Sequence, residues 1–161
     1  MTSTVTPNID FIALTPDRAA ACEAIGRALP AWFGIEEGLE DLRRCAETQE
    51  GIVAVANGDV IGFVTLTRHF PETWEITWRA VHPDCHRQGV GRRLVEAAVE
   101  RCRAEGATTL LVKTLADTHP SPEYAQTRAF YAAMGFRRLE VFPDLWGPHN
   151  PCLLMARVID S

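Results

Sequence analysis

No apolar run in this sequence approaches the length needed to cross a bilayer. The opening residues, Met1 to Pro7, have no basic start and no apolar segment behind it, so no secretory leader is read there. The five cysteines, Cys22, Cys45, Cys85, Cys102 and Cys152, are odd in number and never spaced Cys-x-x-Cys. That pattern argues against a disulfide framework or a zinc site and for reduced thiols in the cytoplasm. Positive charge is in deficit: 16 Lys and Arg stand against 21 Asp and Glu, for a net charge of −5. A nucleic-acid-binding domain would more often carry a basic face. Asparagine is scarce, occurring only as Asn8, Asn57 and Asn150. There is no internal repeat, low-complexity tract or linker.

What is present suits a globular enzyme-sized unit. The 161 residues are 47% hydrophobic and 23% charged. Such a chain buries roughly 70% of its unfolded surface. The expectation is one domain over 1–161, with a core from about 9 to 158. Ile9 to Leu14 reads as a strand. Thr15-Pro16-Asp17 reads as a capped helix start, running to about Leu29. A second helix is expected from Gly34. Ile52–Ala56 and Val60–Thr67 read as strands joined at Asn57-Gly58-Asp59, a hairpin signal. Trp74 to His82 alternates, with Ile76, Trp78 and Ala80 on one face and Glu75, Thr77, Arg79 and Val81 on the other. Val90 to Glu105 is an amphipathic helix ended by Gly106. Thr108–Leu115, a loop over Ala116–Glu123, a helix over Tyr124–Met134, and strands over Phe136–Phe142 and Cys152–Val158 follow. The order β-α-α-β-β-β-α-β-α-β-β is mixed α/β and does not fit a Rossmann alternation.

Between the fourth strand and the third helix lies His86-Arg87-Gln88-Gly89-Val90-Gly91-Arg92-Arg93. A helix beginning there leaves backbone N–H groups free, with the positive end of its dipole behind them. That is an anion site suited to phosphate, and the glycines allow close approach. Arg87, Arg92 and Arg93 add charge. Gly-x-Gly-x-x-Gly fails because residue 94 is Leu, and no Gly-Lys-Ser/Thr follows for a P-loop. The alternative is a strand–helix turn that binds nothing.

The stretch from His86 to Gly91 resembles the coenzyme A pyrophosphate loop of the GNAT superfamily of N-acetyltransferases, Arg/Gln-x-x-Gly-x-Gly/Ala. Ala80-Val81-His82-Pro83 resembles the end of that family's fourth strand. Phe130-Tyr131-Ala132-Ala133-Met134-Gly135-Phe136 resembles its late aromatic helix. The element order agrees from residue 9 to 158. The resemblance implies a GNAT-like acyl-CoA N-acyltransferase fold with acetyl-CoA as co-substrate and no metal. It implies pantetheine contacts from the backbone of Arg79, Ala80 and Val81. The pyrophosphate would lie on His86, Arg87, Gln88, Gly89, Val90, Gly91 and Arg92. Tyr131 would be the acid for the leaving thiolate. Glu75, at the position where many members hold a base, would be the base. His86 departs from the usual Arg or Gln. The asparagine common before the late helix is missing, leaving Tyr124, Gln126 or Thr127 to replace its contact.

The chemistry agrees with these roles. An alkylammonium with a pKa of about 10 needs a base before it attacks. The oxyanion formed at the thioester calls for a donor, such as a backbone N–H near Val81. A thiolate with a pKa of about 8.5 leaves readily, so an acid at Tyr131 assists rather than enables. Glu75 has the alternative of a solvent-facing strand carboxylate, and Tyr131 that of helix packing beside Phe130. Lys113 reads as solvated or carbonyl-paired. Cys85 precedes a basic helix start, yet the transfer requires no thiol. His82 and His86 have metal-pair spacing only on a helix, which Pro83 opposes.

The acceptor is less legible. Trp32, Phe33, His69, Phe70, Trp74 and Trp146 fall at loops or strand ends and are candidates for pocket walls. Glu36, Glu37, Glu40 and Asp41 would attract a cation. The loops around His119 and Trp146 would flank the site. The expected partner is a small-molecule amine rather than nucleic acid or membrane, with a homodimer possible. The alternatives are a protein lysine or N-terminal acetyltransferase, or an acyl-CoA-binding sensor without turnover.

Overall fold

A computed structural model describes residues 8–160. The opening segment, where no leader was read, lies outside them, apart from which every expected element is found. One sheet has the strand order β1-β2-β3-β4-β5-β7-β6. Its strands are β1 (Ile9–Ala13), β2 (Glu50–Ala56), β3 (Asp59–Phe70), β4 (Thr73–Val81), β5 (Thr109–Leu115), β6 (Arg137–Phe142) and β7 (Cys152–Val158). The helices are α1 (Ala19–Arg27), α2 (Glu36–Thr48), α3 (Val90–Ala104) and α4 (Pro122–Ala133). All neighbouring strands are antiparallel except β4 and β5. No helix is long and apolar enough to cross a membrane among the described residues.

The sheet is covered on both faces, and the strands show it residue by residue. Ile52, Ala54, Val64 and Leu66 face a core made with α3 and α4. Val53 and Phe63, their neighbours in sequence, face a second core made with α1 and α2. The α3 stripe of Val90, Leu94, Val95, Ala98, Val99 and Cys102 is buried. The hairpin forms as its sequence implies: Asn57 (φ 53°) and Gly58 (φ 82°) are both left-handed and Ala56 pairs Asp59.

Several boundaries shift from expectation by one to three residues, and three helix starts show why. Pro16–Arg18 is a separate 3-10 turn before α1, and Thr15 accepts a hydrogen bond from Arg18 Nη1 (3.1 Å) instead of capping the helix backbone. The second helix starts at Glu36, two residues later than Gly34. The late helix starts earlier, at Pro122, because Ser121 caps it by accepting from the Tyr124 N–H (3.3 Å) with proline at the first helical position.

The larger correction is in β4. Thr65 pairs with Trp78, and the next residue of β3, Leu66, pairs with Ile76, so Thr77 is an extra residue. This bulge breaks the alternation. Ile76 and Val81 belong to the core beneath α3, whereas Trp78 and Ala80 pack toward α1 and α2. Thr77 Oγ1 donates to Gln49 Oε1 (2.5 Å) and accepts from Thr65 Oγ1 (2.7 Å), which satisfies the buried Thr65 hydroxyl where the ladder is interrupted.

Pairing of β4 with β5 runs from Thr73–Thr109 to Ile76–Val112 and ends there. β5 stays paired to β7 as far as Leu115 with Cys152. The two parallel strands therefore part in mid-sheet, and Thr77–Val81 has no strand neighbour on that side.

Two measurements probe this architecture. Leu94→Ala removes a fully buried side chain between α3 and the sheet. It should cost about 2–5 kcal/mol, read from the urea midpoint. Burial pushes the Cys22 and Cys102 thiols up to about 12. An unfolded thiol ionises near 8.5, so the unfolded chain sheds these protons first. The contribution of these two thiols should be constant below about pH 8.5 and then fall by roughly 1.4 kcal/mol per pH unit per thiol. The slope over pH 9–11 should be shallower in Cys22→Ala, and an unchanged slope would refute the assignment.

Candidate active site

The turn after β4 is built to leave backbone donors free. Pro83–Cys85 is a 3-10 turn, pinned by the Asp84 N–H on His82 Nδ1 (3.1 Å). Arg87 (φ 66°) and Gly89 (φ 76°) are both left-handed, which turns the chain sharply into α3. For a non-glycine residue that conformation costs about 1–2 kcal/mol. No side chain caps α3, no acidic residue occupies its first turn, and its first backbone bond is Arg93 N–H to Gly89 O. The N–H groups of Val90, Gly91 and Arg92 thus face outward beside Arg87 and Arg92, at the positive end of the dipole. His86 closes the turn by donating Nε2–H to Val81 O (2.8 Å).

These donors open into a cleft of about 1380 Å³. Its floor is the gap between the parted strands. The α1–α2 loop and α2 form one wall; α4 and the start of α3 form the other. Glu75 and Tyr131 both line it, as do Arg79, Ala80, Val81, His86, Arg87, Gly89, Val90, Gly91 and Arg92. Gln88 does not. Among the aromatic candidates, Trp32, Phe33 and Trp146 line the cleft.

Trp74 does not. It is fully buried in the core under α3, with Arg68 over its ring at 4.4 Å. It sits before the bulge, two residues from Ile76, and so shares that residue's face. His69 is also outside the lining, but its Nε2 lies 2.7 Å from Glu75 Oε1. Phe70 is exposed away from the cleft.

Glu75 is buried at 5% exposure, so it is not a solvent-facing strand carboxylate. Lys113, the only lysine in the chain, donates to Oε1 (3.2 Å) and Oε2 (3.3 Å). The pairing of Glu75 with Leu111 puts Lys113 two residues further along on the same face. The carboxylate therefore has a cation on one side and a half-exposed imidazole on the other. Tyr131 is 3% exposed, wedged between Phe130 and Phe136, and its Oη accepts from Arg79 Nε (3.0 Å).

The α2 wall of the cleft contains one residue that alternation hides. Trp78 lines the cleft because the bulge turns it toward α2, where its Nε1 donates to Asp41 Oδ2 (3.0 Å). Asp41 and Glu37 add acidic groups to the same wall. The positions considered for the missing asparagine hold this wall in place. Tyr124 Oη donates to Trp32 O (2.6 Å), and Trp32 Nε1 donates to Thr127 Oγ1 (3.3 Å). Gln126 lines the cleft without such a bond. Burial raises the Tyr124 hydroxyl above the usual phenol range, which keeps it a donor. All five cysteines are free, and desolvation first, then Asp84, pushes the Cys85 thiol up rather than down. No group of three or more His, Cys, Asp or Glu suited to a metal occurs among the described residues.

Comparison with known proteins adds the family. The sequence profile of the Acetyltransferase (GNAT) family matches residues 19–136. No curated protein matches the sequence. Solved structures share the fold. A Desulfovibrio desulfuricans protein assigned to the GNAT family superposes with a TM-score of 0.83 at 19% identity, covering 95% of this chain and 100% of that one. The ribosomal-protein-S18-alanine N-acetyltransferase of Escherichia coli gives 0.76 at 22% identity, covering 96% of each. An aminoglycoside 6'-N-acetyltransferase complexed with coenzyme A gives 0.69 at 17% identity, covering 91% and 93%.

The clamp on the α1–α2 loop can be tested without substrate. Tyr124→Phe removes the bond to Trp32 O and should cost about 0.5–1.5 kcal/mol. Hydrogen exchange should quicken at the Trp32 and Phe33 amides, which bond to Leu29 O. Unchanged exchange there would show that the loop holds itself.

Proposed function

The chain belongs to the GNAT acetyltransferase family, and from that premise we propose that it moves an acetyl group from acetyl-CoA to a primary amine on a small cationic acceptor. The transfer is a direct attack in a ternary complex. The observation that carries this reading is the coincidence of three features in one cleft. They are an uncapped α3 N-terminus flanked by arginines, an unpaired β4 edge, and a buried carboxylate and phenol.

The residues fit the donor. Val90, Gly91 and Arg92 offer N–H groups to a pyrophosphate, with Arg87 and Arg92 supplying charge. The free edge at Thr77–Val81 matches the amides of a pantetheine arm, which bind as an added strand would. That arm leads the thioester into the gap between β4 and β5. Glu75 takes the ammonium proton, directly or through one water, and His69 offers it a route to solvent. Lys113 fixes the carboxylate in place. Tyr131 returns a proton to the departing sulfur.

The acceptor end supports a cation. Trp32, Phe33, Trp78 and Trp146 present aromatic faces, and Glu37 and Asp41 add negative charge. The donor end is basic, so an amine is drawn to the side away from the pyrophosphate. Neighbours on this fold include enzymes named for an aminoglycoside and for the alanine of a ribosomal protein. The enclosing aromatic wall favours the small acceptor. A sensor without turnover would have no use for the buried Glu75 cluster.

Coenzyme A at 100 times its dissociation constant should stabilise the fold by about 2.7 kcal/mol, seen as a raised Tm. No shift at millimolar coenzyme A would end the donor reading. An amine panel with acetyl-CoA, read by thiol release, identifies the acceptor class. On the best amine, Glu75→Gln should lower kcat/KM about 100-fold at pH 7. The loss should shrink as pH rises toward the amine pKa, where free base no longer needs Glu75. A deficit independent of pH would exclude Glu75 as the base.

A further inference from the structure

Arg79 has a geometry that backbone contact with pantetheine does not require. It lies two residues beyond the bulge, which turns its side chain to the α3–α4 face. Its Nε donates to Tyr131 Oη (3.0 Å), and its guanidinium lies over the Phe130 ring at 4.1 Å. Nη1 fills the space left by the glycine at 91: a Cβ there would stand 2.9 Å from it. Among the described residues no carboxylate lies within ion-pair distance of Arg79. Nor does the Tyr131 hydroxyl have an acceptor for its own hydrogen among them.

We propose that Arg79 is a positioning residue for Tyr131, one that aims its hydroxyl hydrogen into the cleft and holds the tyrosinate left after proton transfer. The inference rests on the reading of Tyr131 as the acid. With one lone pair of Oη taken by Nε–H, the O–H bond points away from Arg79. During transfer the amine nitrogen bonds to the thioester carbonyl carbon. The carbon–sulfur bond then breaks, its electron pair goes to sulfur, and sulfur takes the Tyr131 proton. The phenolate oxygen is then hydrogen-bonded to a cation with no other partner, the stronger charge-assisted kind of bond. The first ammonium proton leaves through Glu75; the second, shed by nitrogen as the adduct collapses to the amide, passes through water to the tyrosinate and restores the Tyr131 hydroxyl, so one proton is released per transfer. A lysine at 79 would keep the charge but lose the flat stack on Phe130 and the side-on Nε donor.

A double-mutant cycle decides it. Acetyl-CoA is used with the best amine of the panel, or with water as acceptor if no amine is used. Arg79→Met and Arg79→Lys should each lower kcat roughly tenfold to a hundredfold, with the KM for acetyl-CoA and the coenzyme A melting shift retained. In a Tyr131→Phe background neither should lower kcat further, because the two residues act through one oxygen. Equal losses in both backgrounds would overturn the proposal while leaving Tyr131 as the acid. So would a change confined to KM, which would make Arg79 a donor-binding group. If Tyr131→Phe alone keeps full kcat, or the unsubstituted protein releases no thiol, the underlying reading fails and the proposal with it.

Discussion

One extra residue in β4 sets the geometry of the whole cleft. Without the bulge at Thr77, Trp78 and Ala80 would share the face of Ile76, and Arg79 would share that of Glu75. With it, Glu75 and Trp78 share one face and both line the cleft, whereas Arg79 turns to α4 and meets Tyr131. The bulge also falls where β4 leaves β5. At the interruption a chain of hydrogen bonds runs from the buried Thr65 through Thr77 to Gln49 at the edge of the cleft. A buried hydroxyl without a partner costs roughly 1–3 kcal/mol, a cost that the bond to Thr77 removes at Thr65.

The parted strands then organise the charges. Arg87, Arg92 and the α3 dipole make one end of the cleft positive, although the chain as a whole carries −5. Glu37 and Asp41 make the other end acidic. Glu75 and Lys113 lie between, paired, and so add little net field to either end. This polarity favours an anionic group at one end and a cationic group at the other, and low dielectric in a half-enclosed cleft strengthens it.

Much of the fold was legible in the sequence because it is written in local periodicity. The α3 stripe, the Asn57-Gly58 turn and the glycine-bearing loop after Val81 each appear where their spacing puts them. The boundary errors are local as well. Ser121-Pro122 reads as loop, and only the bond from the Tyr124 N–H shows it to be a cap. Trp74 failed as a wall residue for a different reason. An aromatic near a strand end has no preferred face until the register is known, and here the register points it into the core.

The sequence by itself determined the order of the elements, the glycine-bearing loop that leaves the α3 N–H groups uncapped, and the presence of a phenol and a carboxylate on either side of it in the chain. These depend on residues near one another in the chain. The tertiary structure decided which side of β4 each residue faces, that Glu75 lies between Lys113 and His69, and that Arg79 reaches Tyr131 across 52 positions. Those facts depend on how strands pair and where the pairing slips. A one-residue slip moves every later side chain to the opposite face, so no local period can reveal it.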